Sequence, residues 1–415
     1  MFSTLRGVCS ASAKFRNTRI VTLVSFPTRS VKNFPKVPVE RCEKRLNIPA
    51  QIQLSNRKFH TTNRRDIPPV LALILRPVLR IGAFIFGRTL RKWWGKIDPS
   101  EREQYAAFLR KKKPYLYGFL GAFFSMLAIY YVLHIENAPI TNRPRFIMFT
   151  KQQQAAFEKF QLELHLEEHM DKILPHNHPV YQQLLKVTTR LLNANKDLPY
   201  IKEKNWTLSV IDSPENNAFV LPGGNIFIFT GILKMIENED QLSFIIAHEM
   251  AHSLLKHAME QVSNGFIIDV LLLLPIVIIW ALFPDSIALI LQLTGYQILN
   301  IFHDLPYNRA LESEADEVGL TLSAKACVDV REAVVFWKMM RSLEELNAEP
   351  TNVTWLSTHP NHKDRAENLN GLMSKAIALR GSYQCPGLSP VDPRKKFDAQ
   401  SIKDVEARLK LRGVL

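Results

Sequence analysis

The run YLYGFLGAFFSMLAIYYVLH, Tyr115 to His134, carries no charge. Its length matches the hydrocarbon core of a bilayer, where only a helix lets a single segment satisfy its own backbone. Aromatic residues crowd both ends, as they do at membrane interfaces. A transmembrane helix over 114–135 is therefore expected, and the rest of the chain must be arranged around it. Upstream stand Arg88, Arg91, Lys92, Lys96 and the run Arg110 to Lys113, whereas the downstream flank is sparse in positive charge. That asymmetry keeps the N-terminal side in the compartment of synthesis or import.

The net charge of +14 is concentrated in the first 113 residues, which describes a targeting and membrane-adjacent region better than a nucleic-acid surface. No nucleic-acid motif accompanies it, so no nucleic-acid partner is expected. From Met1 to Val39 there is no Asp or Glu, while Arg6, Lys14, Arg16, Arg19, Arg29, Lys32 and Lys36 are spread among serines and small apolar residues. This is the composition of a mitochondrial presequence, expected over 1–65. The basic segment 66–113 contains IPPVLALILRPVLRIGAFIFG, interrupted by Arg76 and Arg80, and reads as an interfacial helix rather than a second span. Import into a mitochondrion would place this segment in the matrix and everything after about residue 135 in the intermembrane space.

A folded domain is expected over 150–380, with a tail or helix over 381–415. It opens with helical periodicity from Ala155 to His169 and from Tyr181 to Asn193. The stretch WTLSVIDSPENNAFVLPGGNIFIFTGIL then sets short alternating strands around Pro222, Gly223, Gly224 and Asn225, a small β-hairpin. The remainder is mostly helical, giving an α-rich α+β class. A second apolar region, 265–299, is broken by Pro275, Pro284 and Asp285, so each half is shorter than a span. Asp269 and Asp285 would be costly in hydrocarbon, which favours a buried or membrane-dipping hairpin over two crossings.

FIIAHEMAHSLLKH, Phe244 to His257, contains the pattern His-Glu-x-x-His. On a helix His248 and His252 project from one face a turn apart, so both imidazoles reach one Zn²⁺. Glu249 between them sits where a carboxylate takes a proton from metal-activated water. Asn238 with Gln241 resembles a cap for this helix, and Asn264-Gly265 is its expected stop. A catalytic site needs a third protein ligand, and NRALESEADEVGL supplies carboxylates. Glu312 and Asp316 share one helical face, so Glu312 serves as ligand and Asp316 hydrogen-bonds a ligand histidine. Glu314 is the fallback ligand.

HLEEH, His165 to His169, matches an inverted zinc motif but lies in the charged helix EKFQLELHLEEHMDK, and a solvated helix face is the simpler reading. His176 and His178 read as loop residues, and His257 as packing or polar decoration. Cys9 and Cys42 fall in the presequence; Cys327 and Cys385 either form one bridge or stay as buried thiols.

NAFVLPGGNIFIFTGIL, HEMAHSLLKH, LESEADEVGL and STHPNHKDRAENL follow one another in the order seen in the membrane-associated zinc endopeptidases related to CAAX prenyl proteases and bacterial HtpX. With the presequence and the preceding span, the chain resembles the mitochondrial inner-membrane members of that family. The resemblance implies a mostly helical, zincin-like α+β domain with a small β-sheet, preceded by a single transmembrane helix. It implies zinc on His248, His252 and Glu312, Glu249 as general base and Asp316 as the hydrogen-bond partner of a ligand histidine. It also implies an edge strand near Gly224, Asn225 and Ile226 to which an extended substrate adds. His359 would stabilise the oxyanion or occupy the metal's open position, and Arg365 would support that loop or bind substrate. Family members cleave inner-membrane proteins in quality control and under stress, including the dynamin-like fusion GTPase, and assemble into homo-oligomers. Two other classes stand beside this one. One is a non-catalytic membrane scaffold or chaperone with a structural zinc, against which the intact Glu249 argues. The other is an intramembrane protease, which would need 265–299 to span.

Overall fold

A computed structural model describes residues 69–345, 359, 362–400 and 402–412. The expected presequence lies outside them. Helix α1 (Pro69–Lys96) leads through a two-residue turn into α2 (Pro99–Leu133), whose apolar run is exposed along its length, with no residue buried. The basic stretch 99–113 is thus continuous with the expected span rather than a separate segment. A two-stranded ribbon, β1 (Ile135–Asn137) and β2 (Pro144–Phe146), joins α2 to α3 (Lys151–His169). Thr150 and Gln153 form a reciprocal cap that starts α3. After α4 (Pro179–Ala194) and the short α5 (Pro199–Lys202) come β3 (Thr207–Ile211), β4 (Ala218–Val220) and β5 (Asn225–Phe229).

The hairpin expected from the sequence is part of a three-stranded mixed sheet in the order β3-β5-β4. β5 pairs parallel with β3 and antiparallel with β4, so both its edges are taken. Its alternate side chains face two apolar layers. Phe227 and Phe229 pack with Leu162 and Leu166 of α3, while Ile226 and Ile228 join the main core. Helix α3 therefore covers the sheet, and His165 lies against Phe219 and Phe227 instead of on a fully solvated face.

The motif helix α6 (Glu239–Leu254) is almost wholly buried, and Asn238 caps it by accepting from the Gln241 N–H at 2.9 Å. It stops ten residues before the expected Asn264-Gly265 signal: Lys256 takes a left-handed conformation (φ 54°), and α7 (His257–Leu282) starts beyond it. A lysine in that conformation is uncommon, which is why no composition cue marks the break. α7 then runs unbroken through Pro275 for 26 residues, so it is longer than the halves expected from the sequence. Apolar helices tolerate an internal proline when neighbouring elements re-satisfy the backbone.

α8 (Asp285–Leu299) folds back on α7, and a π-helical turn leads to α9 (Leu305–Lys325), α10 (Arg331–Glu345) and α11 (His362–Ser382). The C-terminal stretch is no tail. It forms α12 (Pro393–Asp398) and α13 (Ile402–Leu411), and Val405 and Leu409 are buried in the main core. α9 crosses α6 at close range because Gly319 faces the His248 backbone, where a Cβ would meet His248 N and Cα at 3.0 Å.

Cys327 and Cys385 form a disulfide closing a separation of 58 residues between the start of α10 and the end of α11. Closing a loop of that length lowers the entropy of the unfolded chain by an amount worth about 4 kcal/mol. Denaturant unfolding with and without reductant is expected to differ by up to that amount.

α1 runs parallel to α7, and four arginines join it to the α7–α8 hairpin. Arg76 and Arg80 bind Asp269, and Arg88 and Arg91 bind Asp285 at the tip of the α7–α8 hairpin. The side chains facing outward are apolar: Ile74, Val78, Ile81, Ile85 and Phe86 on α1, Leu271, Leu274 and Ile278 on α7, and Ile290 and Leu293 on α8. Asp269 is buried between its two arginines, whereas Asp285 is 43% exposed at the hairpin tip, so only the Asp269 carboxylate is withdrawn from the apolar surface. α2 and α7 are the two described helices long and apolar enough to cross a membrane.

Candidate metal centre

The α6–α9 crossing brings His248, His252 and Glu312 together. His248 Nε2 lies 3.1 Å from His252 Nε2, and Glu312 lies 3.4 Å from each of these nitrogens through its two oxygens. Four ligands at about 2.0–2.2 Å around a tetrahedral metal ion stand about 3.4 Å apart, so these separations match the edges of such a polyhedron. His359 completes a cluster whose donor atoms all lie within 4.8 Å of one another. Its Nδ1 is 2.9 Å from Glu312 Oε2, and its Nε2 is 3.3 Å from Glu249 Oε1.

Behind the cluster Arg365 is 2% exposed. It donates two bonds to Asp316 at 2.6 and 2.7 Å and one to Glu312 at 2.8 Å, and its guanidinium lies 3.6 Å from the Trp337 ring centroid. Asp316 Oδ1 in turn lies 3.0 Å from His248 Nδ1, which aims Nε2 at the cluster.

The electrostatics call for a cation. Glu249, Glu312 and Asp316 bury three carboxylates against one guanidinium, a surplus of two negative charges before the histidines are counted. Burial and the Arg365 cation oppose a proton on His248, but the Asp316 and Glu312 carboxylates outweigh them and move it up to about 9. Burial pushes His252 well below the usual range and so leaves a neutral ligand nitrogen. Burial would raise Glu312, yet the surrounding histidines hold it far below the carboxylate range. A divalent cation supplies the charge that His248 otherwise takes up as a proton, so the residues present fit a metal ion.

A second layer, absent from the sequence reading, runs from His252 toward α7 and α9. His257 Nδ1 is 2.9 Å from His252 Nδ1, and its Nε2 is 3.2 Å from Glu314. Glu314 also accepts from Thr141 and from Arg143 Nε at 2.8 Å, while the other two Arg143 nitrogens bind Glu260 at 2.7 and 2.8 Å. Burial works against the Glu314 charge, but His257, Thr141 and Arg143 bring it down to about 2. Glu314 is therefore committed elsewhere, and Glu312 is the α9 carboxylate at the cluster. The break at Lys256 is what turns His257 back onto His252, and lysine gave no cue to it.

Gly224, Asn225 and Ile226 offer no edge. Gly224 has φ 96° in the turn, Asn225 and Ile226 begin the central strand, and Ile226 is buried. Ser253 of α6 holds this turn through the Leu221 and Pro222 carbonyls at 3.0 and 3.2 Å. The edges belong instead to β3 and β4; residues 172–174 pair with the end of β3, which leaves β4, packed on α6, as the more open edge among the described residues. The Leu221–Asn225 and Phe229–Asn217 hydrogen bonds fix the ladder phase, so Ala218 and Val220 point their backbone groups away from β5. The inverted motif also gathers its donors, His165, Glu168 and His169, but all three come from the one helix α3.

Residues 181–373 match peptidase family M48. The mitochondrial metalloendopeptidase OMA1 of Bos taurus is 39% identical over 381 residues, covering 91% of this chain and 72% of that protein. The human protein of that name is 39% identical over 352 residues, covering 84% and 67%. The Schizosaccharomyces pombe one is 32% identical over 270 residues, covering 64% and 74%. These matches agree with the cluster on α6 and α9: the chain belongs to peptidase family M48, as a metalloendopeptidase of its mitochondrial branch.

Proposed function

We propose that the chain hydrolyses peptide bonds in proteins of the mitochondrial inner membrane, using zinc held by His248, His252 and Glu312. The observation that carries this reading is the set of donor separations of 3.1–3.4 Å beside a buried Glu249. Two imidazoles and a carboxylate are a zinc donor set that leaves a position for substrate. Zinc, when bound, supplies the Lewis acidity that activates water and polarises the scissile carbonyl. Glu249 takes the proton from the attacking water and passes it to the leaving amine. Asp316 fixes the His248 tautomer, and Arg365 locks Asp316 and Glu312 in place. His359 is positioned either to stabilise the oxyanion or to fill the fourth corner at rest, and Arg365 is a support rather than a substrate contact. An extended substrate adds to β4 through Ala218 and Val220, replacing the edge expected at Gly224 to Ile226.

α2 anchors the chain, and the basic residues before its apolar run support a matrix-side start to α2 with the catalytic domain, 150–380 plus α12 and α13, in the intermembrane space. The bundle of α1 with the 265–299 hairpin lies in lipid along its apolar outer face, which extends the membrane contact beyond one helix. Residues 1–65 serve as the presequence. The substrates are membrane proteins cleaved in quality control and stress-responsive processing, the dynamin-like fusion GTPase among them, and the working form is a homo-oligomer. Cleavage of a reconstituted membrane substrate is expected to stop on metal chelation and return on adding zinc. Persistence of cleavage in chelator would exclude a zinc mechanism.

One observation favours the scaffold reading. His359 brings a fourth donor to the cluster, and four protein ligands mark structural zinc sites. Glu249 has no task in such a site, so its replacement separates the two. The His257–Glu314 layer orients His252, and His257→Phe is expected to weaken zinc affinity by about 10–100-fold without unfolding the chain, as read by competition with a zinc chelator.

A further inference from the structure

We propose that the cleft between α1, α7 and α8 binds one anionic phospholipid, an inference that rests on the membrane reading above. The cleft, about 580 Å³, has Arg76 and Arg80 at one end and walls that include Ile81, Phe84, Trp280 and Leu289. Asp269, 1% exposed, accepts from Arg76 Nε and from Arg80 Nε at 2.8 Å. One carboxylate thus fixes two guanidiniums and leaves one positive charge in excess. The two arginines are 27% and 36% exposed and both line the cleft, Arg76 with its terminal nitrogens over Gly265 of α7. Arg80 also stands over the Tyr296 ring at 5.3 Å.

Surplus positive charge on a lipid-facing bundle demands an anion, and a phosphodiester matches the guanidinium fork. The walls favour an amphiphile over a free anion. Trp280 directs its N–H to Gln292 at 2.5 Å and turns its ring to Phe84, so the side facing the cleft is apolar. The rim continues into exposed Val78, Ile85, Ile290 and Leu293, along which an acyl chain can lie.

The test uses the full chain in nanodiscs of phosphatidylcholine containing a minor share of phosphatidylglycerol, with retained lipids counted by native mass spectrometry. The expected result is one phosphatidylglycerol per chain, enriched about tenfold over phosphatidylcholine, the effect of about one charge-assisted hydrogen bond. Two variants should lose the enrichment. Arg76→Gln/Arg80→Gln/Asp269→Asn removes the charges together and leaves none unpaired, and Leu289→Trp fills the cleft with the charges intact. Enrichment that survives in both, equal retention of the two lipids, or displacement by millimolar inorganic phosphate would each overturn the proposal. Failure of the chain to float with pure phosphatidylcholine vesicles would instead overturn the membrane reading, and this proposal with it.

Discussion

Glu249→Gln is expected to lower kcat by about 10²–10⁴-fold while zinc stays bound and KM changes little. The exchange keeps size and hydrogen-bonding shape, so the packing around this 3% exposed side chain should survive. What it removes is the ability to accept a proton beside the two histidines. A fall of about 10³ corresponds to roughly 4 kcal/mol of barrier, more than a polar contact usually contributes to ground-state binding. The effect should therefore appear in turnover and not in substrate affinity. Processing of a membrane substrate at undiminished rate, with zinc still present, would convert the site to a structural one and favour the scaffold.

Arg365→Met should destabilise the zinc-free protein by about 3–5 kcal/mol, because it strands buried Asp316 and Glu312 without their counter-ion. Methionine keeps much of the volume stacked on Trp337, so the loss reports charge pairing more than packing. With zinc bound, part of the negative charge is already compensated, and the loss should shrink. Arg365→Lys should rescue poorly, since a point charge cannot reproduce the two-pronged contact with Asp316. Adding Asp316→Asn to Arg365→Met should recover part of the loss, as expected for residues in one network. Urea unfolding of the full chain in detergent, with and without zinc, reads all four; a loss below about 1 kcal/mol for Arg365→Met would mean that the pair does not hold the site.

Much of the site was legible in the chain because helical spacing is rigid. His248 and His252 at i and i+4, and Glu312 and Asp316 at the same spacing, needed only the correct crossing partner, and Gly319 supplies the close approach. The charge-free run before His134 was legible for a similar reason, since bilayer thickness sets one length. What the sequence hid depends on contacts between distant segments. The partner strand that makes β5 central lies upstream of the Pro222–Asn225 turn, so the hairpin pattern alone left β5 as an edge. Lys256 carries no signal for a left-handed break, and without that break His257 has no route to His252. The partners of Asp269 and Asp285, namely Arg76, Arg80, Arg88 and Arg91, stand nearly two hundred residues earlier, so neither aspartate's own neighbourhood announced them. The pairing of Cys327 with Cys385 likewise depended on the packing of α10 against α11.

If His248, His252 and Glu312 hold one catalytic zinc, metal analysis of the purified full chain should find it. About one zinc per chain is predicted for the native protein and for Glu249→Gln, and loss of that zinc together with proteolysis is predicted for His252→Ala. A native protein without zinc, or a His252→Ala variant that keeps it, would contradict the account.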